Sequence, residues 1–504
     1  MSSILTNNSA MVALQTLKSI NKNLAQTQSE ISTGKRVSSA KDNAAVWAIS
    51  KVMESDVKGF KGISDSLSLG ESTVAVARDA SETVTDLLTD IKGKIVAAQE
   101  ENVDRDKIQT DIAALRDQIS SVIGAAQFNG LNMVKGTDDV NILSSLDRAS
   151  DGSVTAANIT VARQDLSTDK GTYGTGISLS ANGTASASTV ANTANTAVVT
   201  IGNTWAANDV ANISVAGVDL SYTFQTGNTV TDIATSFASQ INGLGLDGIT
   251  ASNSAGVLTI SSTRAFQDVA ITAGETTAGN GDVVITGLNG ATGLTLTSGD
   301  IDERAENIAF STSAAVNEGD GYKVTIGSNS YDYVAGKGET MEDVAKGLKI
   351  AIDSAGLTDI TTKVVQDPIS GQWSLKVDNN GASANFSIIG NAGGVADGGL
   401  RGLEAIDVST SAGAKSALDN IETMISTAID SAASFGSAQG RIQIQNDFIS
   451  QLSDSLKSGI GSMVDADMEA ASARLQALQV QQQLGTQALS IANQAPQNIL
   501  SLFR

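Results

Sequence analysis

The chain has 504 residues but no cysteine and no histidine, and each absence removes a class of chemistry. Without thiolate or imidazole there is no disulfide framework, no Cys or His metal site, no Ser-His-Asp triad and no HExxH helix. An enzyme is therefore not expected, and neither a metal nor a cofactor is assigned. Proline occurs only at Pro368 and Pro496, and aromatic residues make up 4%. No apolar run approaches the roughly 18 residues of a membrane span, so membrane insertion is not expected. The opening MSSILTNNSAMVALQ has no basic segment, hydrophobic block or cleavage site, so any export is expected to proceed without a cleaved signal peptide. Basic side chains number 32 against 54 acidic, a net charge of -22, which argues against nucleic acid as a partner.

The charge is uneven. Residues 140–404 hold 27 acidic and 12 basic side chains. Residues 1–33 carry only Lys18, Lys22 and Glu30, and residues 471–504 only Arg474 and Arg504. The two ends and the middle of the chain are built for different surroundings.

Apolar residues from Val46 to Ala98 recur at alternating three and four positions, interrupted only by Asp56, Gly70 and Ser81. That is a coiled-coil seam. A helix over this span would be about 80 Å long at roughly 1.5 Å per residue, and it needs partner helices of similar length. A second helix is predicted from an N-cap at Asp104 through Ala126, folding back antiparallel. The seam resumes from Leu418 to Met463, with Gln439, Asn446 and Ser453 at skipped positions. The last stretch continues it through Met468, Leu475, Leu478, Leu489, Ile499 and Phe503. Near the start, Leu14, Leu17, Leu24 and Ile31 form a weaker stripe in which Asn21 and Gln28 share the spacing. The weaker stripe is either a frayed terminus or a segment that orders on assembly. The polar seam positions are either registry devices or residues of a wet interface.

Between about 140 and 404 the composition turns to Gly, Ser, Thr, Ala, Val and Asn with short alternating runs, which reads as mostly β. Residues 213–241 align without gaps on 324–352, placing Tyr222 on Tyr333, Asp232 on Asp343 and Ile241 on Ile352. Two α+β modules, about 197–273 and 308–390, are expected. Trp205, Trp373, Tyr222, Tyr331 and Tyr333 either form their cores or present a glycan-binding surface. Asp465, Asp467 and Glu469 resemble a cation cluster, but Ala470 stands where a Ca loop needs Gly. Carboxylates are favoured in a first helical turn without any metal.

Residues 31–45, ISTGKRVSSAKDNAA, and 478–504, LQVQQQLGTQALSIANQAPQNILSLFR, together with Val464 to Glu469 and the Gln127 to Gly130 turn, resemble the ends of bacterial flagellin. With the flanking helices the resemblance covers roughly residues 1–165 and 405–504. Thr33, Val46 and Trp47 depart from the usual pattern. The resemblance implies a structural subunit that polymerises into the flagellar filament and serves motility, outside the cell. It further implies partners: other copies of the chain, the export apparatus and a chaperone, the hook-filament junction proteins and the filament cap. A paucity of proline suits a chain that must refold quickly after export.

The expected fold is a mainly α coiled-coil or helical-bundle rod formed by both chain ends, with an inserted β-rich (α+β) outer region of two repeated modules. Residues 1–43 and 464–504 would be the inner terminal helices that form the core and line the channel. Residues 44–175 and 405–463 would be the rod with a β-hairpin, and 176–404 the outer insertion. The expected assembly residues are Leu14, Leu17, Leu24, Ile31, Leu475, Leu478, Leu489, Ile499 and Phe503. A hook-filament junction protein and a filament carrying adhesin-like outer modules are the alternative functions.

Overall fold

A computed structural model describes residues 7–149, 153–202, 204–276 and 282–501. It contains seven α-helices among the described residues: α1 (Asn8–Thr33), α2 (Ala44–Ala98), α3 (Arg105–Ala125), α4 (Val230–Gly243), α5 (Met341–Asp353), α6 (Ser411–Val464) and α7 (Met468–Ser501). The chain divides into two compact units, one of residues 1–74, 140–161 and 437–504, the other of residues 75–139 and 162–436.

In the first unit α1 ends at Gly34, whose left-handed φ of 66° no β-substituted residue adopts cheaply. The following turn reaches α6, with Arg36 N donating to Val464 O at 2.7 Å. Antiparallel strands Val140–Arg148 and Val154–Val161 form a hairpin that explains two of the breaks in the α2 seam. At Gly70 an added Cβ would lie 2.6 to 3.0 Å from three side-chain carbons of Ile142, so the glycine is where the hairpin lies against the helix. Asp56 accepts from Arg148 Nη2 at 2.5 Å. Asn446 on α6 accepts from Ser64 Oγ on α2 at 2.8 Å, giving one polar seam position a partner across the helix pair.

In the second unit the remaining break, Ser81, is buried with its Oγ 3.1 Å from that of Ser431. In the same unit Val84, Leu88, Ile91 and Ile95 of α2, Ile112 and Ile119 of α3, and Ile421, Met424 and Phe435 of α6 are buried. The fold-back of α3 is fixed by Asp104 accepting from Lys107 N at 3.2 Å and by Lys94 Nζ meeting Asp111 at 2.5 Å.

The same unit holds the two modules. Strands Val210–Val215 and Val218–Thr223, helix α4 and strand Ile249–Ser254 recur 111 residues later as Gly321–Ile326, Asn329–Val334, α5 and Ile360–Gln366. Both helices open with the same capping box, Thr229 with Asp232 and Thr340 with Asp343. In each module the helix packs on two antiparallel sheets. Phe237 and Ile241 anchor one core, and Tyr322, Tyr333 and Leu348 the other. Trp205 stacks on Phe224 at 6.0 Å against the first core, and Tyr331 and Tyr333 are buried in the second. Four of the five aromatic positions thus serve module cores or their margins; Trp373 lies half-buried under Lys346 Nζ, 6.0 Å above its ring.

The modules are completed differently. The first is closed by strands that follow it, Val283–Leu288 on Asn195–Ile201 and Ser298–Ile301 on Val269–Glu275. The second takes its closing strands from before the first, Gly183–Ala185 on Glu306–Phe310 and Thr189–Val190 on Ala384–Asn391. The first module is therefore an insertion within the second. Its entry and exit are tied together, Asn195 Nδ2 donating to the carbonyls of Asp302 (3.1 Å) and Glu303 (2.8 Å). At the same crossing Arg304 makes a buried two-pronged bridge to Asp378, both contacts 2.7 Å.

Two outcomes are expected. Gly70→Val should lower stability by about 1–3 kcal/mol through overpacking against Ile142, with hydrogen exchange rising in 140–161; unchanged melting and exchange would contradict the packing described. Replacing residues 195–302 by a short glycine link should leave the second module folded, checked by protection of residues 321–391.

Candidate assembly surface

Helices α1 and α7 pack antiparallel along their lengths in the first unit. Their close approach is centred on Gly485, where an added Cβ would sit 3.3 Å from Leu17 Cδ1 and 3.7 Å from Ile20 Cδ1. One turn away Gln482 Nε2 of α7 donates to Oδ1 of Asn21, a polar position of the α1 stripe, at 2.7 Å. The pair lies at the solvent-exposed edge of the helix interface. At the other end Lys35 and Asp465 form a β-bridge.

Asn7 does two jobs. Its Oδ1 accepts from Ala10 N at 3.1 Å, capping α1. Its Nδ2 donates to Ala492 O at 2.8 Å. In an uninterrupted helix that carbonyl would bond the N–H of residue 496, and Pro496 has none. The side chain that starts one helix thus fills the vacancy that proline opens in the other.

The nine expected assembly residues fall into three groups. Leu478 is buried, and Leu17, Leu24, Ile31, Leu475 and Leu489 are half-buried. Leu14 is 43% exposed. Ile499 lies on α7 where side chains fall outside the described set, and Phe503 lies outside the described residues. A second apolar line, apart from these nine residues, lies on the same helices. Val480, Leu484 and Ile491, the last 68% exposed, run along α7 at four- and seven-residue steps, and Met11 and Val12 are exposed on α1. That line was present in the sequence at four- and seven-residue steps, overshadowed by the stronger seam beside it.

Charged side chains are few here, and Glu30 is buried with Gln26 Nε2 donating to it at 3.2 Å. The Asp465 to Glu469 cluster is a helix start: Asp467 Oδ1 accepts from Glu469 N (3.0 Å) and Ala470 N (3.1 Å). Among the described residues no group of three acidic side chains is arranged to hold a metal ion, and no helix is long and apolar enough to cross a membrane.

Asn7→Ala should remove a cap worth about 0.5–2 kcal/mol and leave the Ala492 carbonyl unpaired. Amide exchange should accelerate at both 8–12 and 488–494; acceleration at α1 alone would show that the contact to Ala492 contributes nothing.

Comparison with known proteins finds two family models in the chain, the bacterial flagellin N-terminal helical region at residues 4–139 and the bacterial flagellin C-terminal helical region at 418–503. Flagellin A of Rhizobium meliloti is 32% identical over 509 residues, and flagellin B of the same organism 31% over 512, each alignment covering all of both chains. Among solved structures, flagellar hook associated protein-3 from Legionella pneumophila aligns over 82% of this chain and 98% of its own, at 8% identity and a TM-score of 0.32.

Proposed function

The chain belongs to the bacterial flagellin family, and on that premise we propose which of its surfaces builds the polymer. It is a structural subunit that polymerises with copies of itself into the extracellular flagellar filament, the organ of motility. In our reading residues 1–43 and 464–504 form the filament core and line its channel. Residues 44–175 and 405–463 form the surrounding shell, and 176–404 face outward.

The observation that carries the assignment of surfaces is the α1/α7 pair: it is nearly free of charge yet leaves large apolar side chains in water. Leu17, Leu24, Ile31, Leu475, Leu478 and Leu489 hold the pair together within one chain. Contacts between chains then fall to Leu14, Met11, Val12, Val480, Leu484 and Ile491, and Ile499 and Phe503 are proposed for the same role from their spacing in the sequence alone. Each large apolar side chain so covered contributes on the order of 1.5–3 kcal/mol, and repetition along a helical polymer multiplies that term. Because packed interfaces switch between discrete arrangements instead of bending continuously, small differences in how these stripes mesh would give distinct filament shapes.

The remaining partners in this reading are the export apparatus and its chaperone, the hook-filament junction proteins and the distal cap. Neither alternative gains support. A glycan-binding adhesin needs exposed aromatic platforms, whereas Trp205, Tyr331 and Tyr333 are committed to module cores.

Removing residues 478–504 should abolish polymerisation while leaving a folded, soluble middle, checked by sedimentation and circular dichroism. Filaments formed by the shortened chain would overturn the reading. Leu484→Asp with Ile491→Asp should weaken assembly by at least tenfold in critical concentration without unfolding the monomer.

A further inference from the structure

One enclosed carboxylate of the second unit has no cation. Glu339 folds back over Gly336, where an added Cβ would lie 3.0 Å from its Oε1, and both its oxygens lie 2.8 Å from the Tyr333 hydroxyl. The Tyr333 ring is itself fixed, lying where a Cβ at Gly347 of α5 would meet it at 2.4 Å. Among the described residues Glu339 forms no ion pair.

Asp397, Arg401, Asp343 and Lys337 beside it are already engaged. Asp397 accepts from Arg401 Nη1 (2.5 Å), Val334 N (2.8 Å) and Gly171 N (2.6 Å). Asp343 caps α5, accepting from Thr340 N at 2.8 Å and Thr340 Oγ1 at 2.9 Å. Lys337, two residues from Glu339, is bound to Asp139 at 2.5 Å. The 163–165 segment adds Arg163 and Asp165 to the surrounding space, and α6 adds Thr423, Thr427 and Asp430. Cavities of about 40 and 190 Å³ border Glu339 on the sides of α6 and of these segments.

We propose that Glu339 is a proton-operated latch for the second module's seat on α6 and on the 163–165 and 396–401 segments. The seat closes when the carboxyl is neutral and takes water into the flanking cavities when it is ionised. A half-buried glutamate whose carboxylate has a single phenol and one backbone amide for company is poorly solvated, and Asp343 and Asp397 repel its charge. Burial pushes the carboxyl up to about 7; the hydrogen bonds from Tyr333 and Gly336 oppose this, and Asp343 and Asp397 add to it. In an opened seat the group reverts toward its ordinary 4.5. The closed seat therefore has its full advantage below about pH 4.5, loses it as pH rises to about 7, and changes little above. Arg401 and Lys337 do not reverse this, because each already holds a different carboxylate; Arg163 lines the larger cavity with its Nε unpartnered but forms no ion pair with Glu339.

The test is hydrogen exchange of the full-length, unpolymerised chain, corrected for intrinsic rates, followed in peptides spanning 333–343 and 396–401. The wild-type open population should rise by about tenfold from pH 6 to pH 8. In Glu339→Gln that rise should vanish, with protection at pH 8 matching the wild type at low pH. In Tyr333→Phe the midpoint should move to higher pH, because the lost hydroxyl favoured the ionised form. A pH-independent wild type, or a Glu339→Gln chain that keeps the rise, overturns the proposal. Should Glu339→Gln not fold, an unmoved midpoint in Tyr333→Phe overturns it.

Discussion

An apolar stripe running the length of a 55-residue helix cannot be covered by the helix that carries it. Every other feature of the helical part answers that constraint. α6 supplies a 54-residue counterpart, α3 covers the end of α2, and the hairpin lies over α2 at Gly70. The three residues that break the stripe are the places where something other than a helix seam must be met: an arginine at Asp56, an isoleucine at Gly70 and a second serine at Ser81. Such contacts contribute less to stability than the apolar residues around them. Their value lies in permitting one alignment, since a slip by a turn would set serine and asparagine against leucine and isoleucine.

The ends of the chain meet the same constraint with less material. α1 and α7 share a seam too thin to hide all their apolar side chains, and the remainder stays in solvent. A soluble monomer seldom keeps such a line uncovered unless a partner will take it. Low charge completes the arrangement, because burying lysine or glutamate among copies of the same surface would require each to find an opposite charge. The acidic modules carry the repulsion that keeps the chain in solution.

The long helices, the Asp104 cap and the duplicated modules were legible in the sequence because each rests on a simple rule: three-and-four spacing, an aspartate before a helix, and an ungapped internal match of 213–241 on 324–352. The nesting of the modules was not. Strands Gly183–Ala185 and Thr189–Val190 are short and unremarkable in composition, and only pairing across more than a hundred residues shows which module they complete. The second apolar line on α7 was visible but outweighed by its neighbour. The role of Asn7 needed two facts far apart in the chain, a cap at the start and a proline near the end. Nothing local distinguishes Glu339 from any surface glutamate; its isolation depends on where Arg401 and Lys337 find their own partners and on Arg163 making no ion pair with it.

Nesting also dictates an order of events when the chain folds. The second module cannot close its sheets until strands on either side of the first have met, and as an unstructured loop the intervening segment would make that encounter entropically expensive. Once the inner module has formed, Asn195 has brought its two ends side by side, and the long loop shrinks to a short one. The inner module thus acts as a template for its host, and damage to it would be felt first as slow or misdirected closure of a neighbour whose own sequence is intact.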